Sequence, residues 1–287
     1  MKILIIGGNS FFGKKLAHNL VAANHDITLL NRTNLDDDLG DKVQRIKCDR
    51  SDTTKMKELL GDTFWDVVYD QVCFDYDTAN AACEIFNNRV AHYIFTSSQS
   101  VYNAGKNLKE DDFNPGVHEF TQKETAFSNY AEAKRQAEVG FETLAAFPAS
   151  YVRFPIVLGD DDTTQRLLFH YNRIKEGKEI FFNSLDAKIS FISSDDAARS
   201  LMHIGENRIL GPINCCNTGG ISIGNFVNII EDTVGKKLVL AKEKSDENYS
   251  PYAIDEDWFM SNELLCESGF DITNIKSMVS SVVKSLL

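Results

Sequence analysis

A chain of 287 residues, 43% of them hydrophobic, can build one large core or two unequal lobes. Thirty basic against forty-two acidic side chains leave a formal charge of −12, a field that disfavours a broad nucleic-acid surface. No segment has the length and apolarity of a membrane span. The apolar run at the amino terminus is too short for a secretory signal, so a cytoplasmic protein is expected.

The first predicted strand, Lys2–Ile6, runs directly into Gly7-Gly8-Asn9-Ser10-Phe11-Phe12-Gly13, with a helix predicted over 11–23. Gly7 and Gly8 allow a tight turn and bring backbone amides towards phosphate oxygens, and Gly13 lets the helix approach the sheet. Ser10 stands where a G-x-x-G-x-x-G turn has its middle glycine, and its Cβ is expected to narrow or redirect the turn. Phe11 and Phe12 read first as packing anchors and complete the turn assigned to a dinucleotide. The second strand, over 26–31, ends at Asn31-Arg32. Asn31 supplies no negative charge for a ribose, whereas Arg32 can pair with a 2′-phosphate. NADP(H) is therefore the preferred cofactor and NAD(H) the second choice, with an exposed turn arginine as the alternative reading of Arg32. Asp49, after a third strand over 43–47, can accept from an adenine amino group or cap its own loop.

Helices over 53–60 and 75–86 alternate with strands over 66–69 and 91–96. A long helix over 122–146 and a strand over 149–154 follow. Nearly continuous apolar strands in this βαβ rhythm predict an α/β fold with a doubly wound parallel sheet, covered by helices on both faces. Beyond Pro155 the pattern changes. A helix beginning within 160–164 and reaching Lys175 is followed by short strands over 179–182 and 189–193, then by a helix over 195–203. A strand over 213–216 and helices over 222–234 and 272–287 complete the chain. Residues 1–154 are expected to form mainly a dinucleotide-binding domain. Residues 155–287 are expected to form mainly a smaller, interwoven substrate lobe, with roughly 189–205 returning to the first unit.

Tyr130 and Lys134 lie one turn apart on the long helix, where an ammonium would lower the proton affinity of the phenol. Ser98, at the end of the strand over 91–96, could hold a substrate oxygen beside Tyr130. Ser97 and Ser100 are nearby competitors, and no histidine–carboxylate pair makes Ser98 a hydrolytic nucleophile. The six cysteines read as small buried hydrophobes, with no spacing for zinc. The Asp36–Asp38 and Asp160–Asp162 runs read as solvated loops or helix starts, so no metal is expected. His92 reads as structural.

These segments together resemble the extended short-chain dehydrogenases/reductases, in the NAD(P)-dependent epimerase/dehydratase group. That group includes bacterial relatives of the chloroplast stem-loop RNA-binding branch. The resemblance is carried by Gly7–Gly13, T-S-S-Q-S-V-Y at Thr96–Tyr102 and Y-A-E-A-K at Tyr130–Lys134. V-R-F-P-I-V-L-G at Val152–Gly159 and F-I-S-S-D-D-A-A at Phe191–Ala198 extend it over most of the chain. It implies a Rossmann sheet, with Gly7, Gly8 and Gly13 at the phosphate turn. Arg32 and Asp49 fall on the adenosine side, and Phe154 falls beside the nicotinamide. Ser98 would donate to the substrate oxygen, Tyr130 would transfer the proton, and Lys134 would be its partner on the cofactor side. The implied activity is NADP-leaning oxidoreduction at a carbonyl or alcohol centre of a small molecule. A sugar-nucleotide epimerase/dehydratase and a non-catalytic cofactor-binding scaffold for RNA or protein are the alternatives. Sugar-nucleotide epimerases often carry an arginine just before F-I-x-x-D-D-A; here the place holds Lys188, and Ser250–Ala253 lacks a second arginine. The long helix could also form part of a homodimer.

Overall fold

The computed structural model describes residues 1–33 and 37–287. Five strands alternate with helices through the first hundred residues: β1 Lys2–Ile6, α1 Phe11–Ala22, β2 Asp26–Asn31, β3 Gln44–Lys47, α2 Thr53–Leu60, β4 Trp65–Asp70, α3 Tyr76–Phe86 and β5 Val90–Ser98. After β6 Gly105–Leu108 come α4 Tyr130–Leu144, β7 Ala149–Phe154, β8 Ile156–Leu158, α5 Arg166–Glu176, β9 Glu179–Ile180, β10 Lys188–Ile189, β11 Phe191–Ser193, α6 Ser194–Asn207 and β12 Gly211–Asn214. Helices α7 Ile223–Val234, α8 Glu263–Glu267 and α9 Ile275–Lys284 close the chain.

Among the described residues, seven parallel strands form the central sheet in the order β12-β7-β5-β4-β1-β2-β3. The chain reverses its direction of travel across the sheet between β1 and β4. A crevice opens there at the carboxyl ends of the strands. Both faces are covered, which is why the strands read as continuous apolar runs. Leu16 and Leu20 of α1 pack with Leu201 and Ile204 of α6 on one face. Met56, Phe86, Ala137 and Phe141 of α2, α3 and α4 fill the other. A separate core joins Leu167 and Ile174 of α5 to Phe226 of α7 and Val279 of α9.

Several local expectations shift. The long helix begins at Tyr130, eight residues later than its apolar pattern suggested. Thr125 and Ser128 bind each other's backbone amides, and Asn129 accepts from the Glu132 amide at 3.1 Å as the helix cap. Short polar side chains here outcompete helical backbone hydrogen bonds. Likewise α5 starts only at Arg166, after Gln165 in the left-handed region at φ 54°. The strand expected over 189–193 is two strands in different sheets. Between them Ser190 turns its hydroxyl to the Met260 amide at 2.9 Å. The strand expected over 213–216 begins at Gly211 and lies beside β7 in the central sheet.

Candidate active site

Two clefts open along the carboxyl ends of the central strands. The larger, of about 630 Å³, lies over the ends of β1, β2 and β3 and is walled by Gly7, Asn9, Ser10, Asn31, Arg32, Asp49 and Ser51, with Phe74 and Phe127 on its rim. The second, of about 340 Å³, is walled by Ser98, Tyr130, Phe154 and residues of the later lobe.

The turn after β1 is built for close approach. Gly7 sits at φ 89°, and a Cβ there would come 2.9 Å from Val72. At Gly13 a Cβ would strike the Gln71 side chain and lie 2.7 Å from the Gly7 carbonyl. Ser10 does not narrow the turn as its Cβ suggested. Its φ of −150° is extended backbone open to any residue, so the middle glycine is dispensable here. Besides Gly7, the positive-φ residue of the turn is Phe11, at φ 47°. Ser10 places no side-chain cap on α1, which leaves the first amides of that helix open to an anion. Asn31 Oδ1, on the same cleft, is buried without a partner. Uncapped amides, a cradle that side chains would fill and an orphaned acceptor together fit the phosphates and ribose of a dinucleotide.

Not every residue assigned to the cofactor lies on this wall. Gly8, Phe11, Phe12 and Gly13 are absent from it among the described residues. A Cβ at Gly8 would meet Ile5 and Leu29, and the Phe12 ring packs edge-on against Phe154 at 5.5 Å. These four shape the turn from behind. Asp49 accepts from the Ser51 amide at 2.9 Å and the Ser51 hydroxyl at 2.7 Å, and these hydrogen bonds lower its pKa. It is a loop cap and a cleft residue at once. Asn9 was overlooked in the sequence; it ties the phosphate turn to the β2 loop through the Thr33 carbonyl at 2.8 Å. Of the Asp36–Asp38 run, Asp36 lies outside the described residues, and Asp37 is gripped by both Nε and Nη2 of Arg45.

At the second cleft β5 and α4 bring the three chemically suggestive groups together. The Ser98 oxygen accepts from the Ser100 amide at 3.1 Å and the Ser100 hydroxyl at 2.9 Å, so its own proton is directed to the Tyr130 oxygen or to a substrate oxygen that takes its place. Ser97 is no competitor, because its hydroxyl is spent on Glu138 at 2.5 Å behind the wall. Tyr130 keeps 42% of its surface exposed. Partial burial raises its pKa above that of an ordinary phenol, while a hydrogen bond with Ser98 and the charge of Arg166 pull it down. Lys134 is fully buried beneath the phenol, with Nζ 5.9 Å from the ring centroid. Its ammonium donates to the Cys73 carbonyl at 2.7 Å and the Thr96 carbonyl at 2.8 Å, which leaves one N–H unassigned. Burial depresses its pKa to about 8.

The wall behind Ser98 is held by a buried ion pair. Arg153 grips Glu138 with Nε at 3.0 Å and Nη2 at 2.6 Å, and spends its other donors on Tyr102 and the Glu110 and Phe113 carbonyls. Such a pair is tolerable in a dry interior only with this degree of satisfaction. Sequence reading passed over Arg166, Gln99 and Trp258 on the substrate-side wall and Phe127 on the cofactor rim. Gln99 lies inside the T-S-S-Q-S-V-Y segment without a role having been read for it, and the other three belong to no motif. Lys188, at the place where sugar-nucleotide epimerases often carry an arginine, is not on the wall of either cleft.

The model of the NAD dependent epimerase/dehydratase family matches residues 3–90 and 71–216. No curated protein matches the chain. Among solved structures, the UDP-glucose 4-epimerase of Thermus thermophilus in complex with NAD is 14% identical. It has a TM-score of 0.76, with 99% of this chain and 98% of that one covered. A mutant UDP-glucuronic acid 4-epimerase from Bacillus cereus, in complex with UDP-4-deoxy-4-fluoro-glucuronic acid and NAD, is 18% identical with a TM-score of 0.75, covering all of both chains (100% and 100%). The dTDP-glucose 4,6-dehydratase of Bacillus anthracis, in complex with NAD, is 15% identical with a TM-score of 0.73, covering 99% and 96%. At such identities the likeness establishes the fold.

Proposed function

Because the chain belongs to the NAD dependent epimerase/dehydratase family, we propose that it interconverts an alcohol and a carbonyl on a small molecule held between Ser98 and Tyr130. A bound nicotinamide dinucleotide supplies the two-electron exchange at the reacting carbon. Ser98, whose oxygen is occupied by Ser100, donates its proton to the substrate oxygen and steadies the charge that develops there. Tyr130 removes the carbinol proton as the carbonyl forms and returns it on reduction. Lys134 offers its remaining N–H to the ribose hydroxyls of the cofactor and keeps positive charge under the phenol.

The finer reading, a sugar-nucleotide epimerase or dehydratase, draws support from the named activities of the structural neighbours. Arg32, exposed at the mouth of the larger cleft with no carboxylate at the end of β2, supports a preference for NADP(H) within this family. The observation that carries the proposal is the convergence of Ser98 and Tyr130 on one cleft wall, with the Lys134 ammonium beneath. Tyr130→Phe tests it. Against a panel of UDP- and dTDP-sugars, the variant should lose at least about a hundredfold in kcat while cofactor affinity stays unchanged. Undiminished turnover would remove Tyr130 from the chemistry.

A further inference from the structure

The segment that leads into α4 is fastened down on both sides of one exposed ring. Phe120 meets Tyr76 edge-on at 5.4 Å. Lys123 pairs with Asp77 and lies 4.9 Å from the centroid of the Tyr76 ring, so the segment is tied to the start of α3. Gln136 of α4 donates to the Gln122 carbonyl at 2.8 Å and accepts from the Glu124 amide at 2.9 Å. Ser128 donates to Glu124 at 2.6 Å, and Asn129 caps the helix. Phe127 stands inside this braced stretch, yet it is 102% exposed and buries its ring against nothing in its own chain. Holding a phenyl ring in water is unfavourable, and the braced backbone keeps it there.

The ring stands on the rim of the larger cleft beside Phe74, whose own ring is held 4.6 Å from the Lys134 ammonium. Among the described residues, the charged side chains on this wall are Arg32, Asp49 and Arg50. Arg50 is spent on Asp70, with Nε at 3.2 Å and Nη2 at 2.9 Å, and Asp49 adds a negative charge. In a chain of charge −12, such a wall gives an anionic dinucleotide little electrostatic hold beyond Arg32 and the amides of α1. Burial of a ring has to make up the difference. Ser98 and Tyr130 line the other cleft, whereas Arg32 and Asp49 line this one. The ring of the dinucleotide that comes to Phe127 is therefore the purine and not the nicotinamide.

We propose that Phe127 is the stacking face for the purine of the bound dinucleotide, with Phe74 closing the same rim. The assignment rests on the larger cleft being the cofactor site. Stacking of this kind accepts any flat base and needs no hydrogen bond from the protein. Because the phenyl ring is on the rim and not on the floor, its contact forms once the phosphates are seated and acts chiefly on release.

ADP and 2′,5′-ADP, which keep the purine and lack the nicotinamide, test the assignment by calorimetric titration. Phe127→Ala should weaken both by at least about tenfold, and NADP with them, mainly through faster release in stopped-flow measurements. Its melting temperature should equal that of the wild type, since the ring packs on nothing. Pyrophosphate, which has no base, should bind the variant and the wild type alike. Phe127→Trp should restore both affinities, and its fluorescence should change on addition of ADP beyond any change in the wild type. Arg32→Ala separates the proposal from the reading beneath it, because it should weaken 2′,5′-ADP and spare ADP. If Arg32→Ala has that effect and Phe127→Ala binds both probes undiminished, the stacking role is overturned and the cofactor site stands. If neither variant alters binding, or the wild type binds neither probe, the cofactor site itself is misplaced and the proposal falls with it. An equal loss of pyrophosphate affinity in Phe127→Ala overturns the assignment, as does loss of a concentration-dependent dimer with nucleotide affinity intact, which would give the ring to a second copy of the chain.

Discussion

Lys134 is an ammonium held in a place that disfavours charge. Burial lowers its pKa from 10.5 to about 8, against the opposing pull of Cys73 and Asp70. If its third N–H binds ribose, cofactor affinity should be level below that pH and fall as the pH rises through about 8. Fluorescence titration of the cofactor between pH 6.5 and 9 would show the inflection (the range spans about 1.5 units below the shifted value and one above). Lys134→Met should bind weakly throughout and show no inflection. Folding moves the other way, because the unfolded chain binds more protons than the native one between about 8 and 10.5, so stability rises there. Loss of affinity over that range is therefore not loss of fold. At Arg32 the expectation is selective. Arg32→Ala should weaken NADP by about tenfold or more and spare NAD, since the lost contact is a charge-assisted pair to the 2′-phosphate alone. Equal effects on the two cofactors would show that Arg32 does not read that phosphate.

Helix starts decide where the chemistry sits. The Asn129 cap places Tyr130 at the first position of α4, so the phenol stands at the sheet edge with Lys134 one turn deeper. The start of α5 depends on His170, stacked on Tyr252 at 4.6 Å and held neutral by burial with a pKa depressed to about 3. His92, buried in β5 and bonded to the Ser150 hydroxyl at 2.6 Å, is likewise depressed to about 4. Both lie below the ordinary value of 6.5, so the unfolded chain takes up protons that the native one refuses. Stability is fully present above about 6.5 and declines as the pH falls. Between pH 7 and pH 5 each histidine should account for about 2 kcal/mol of that decline. Urea unfolding at the two pH values should show it, and His170→Phe should remove roughly half of the histidine contribution. An unchanged pH slope in that variant would mean that His170 does not resist protonation.

On the scale of the whole molecule, the doubly wound sheet brings the end of β1, the end of β5 and the start of α4 to one edge. No helix among the described residues is long and apolar enough to cross a membrane. What the sequence determined by itself is local and repetitive. The apolar strands, the strand–turn–helix around Gly7, the Ser98 strand end and the Tyr130–Lys134 pair are legible because backbone sterics and residue spacing act over a few positions. Even there, whether Ser10 suited the turn depended on a backbone angle that residue identity does not set. Tertiary structure alone decided the rest. It moved Gly8, Phe12 and Gly13 behind the cofactor cleft and spent Ser97 on Glu138, forty-one residues away. It also brought Arg166, Gln99 and Trp258 from distant segments to one wall. Whether a polar atom is satisfied depends on partners brought in from distant segments, and no local pattern records which of them arrive.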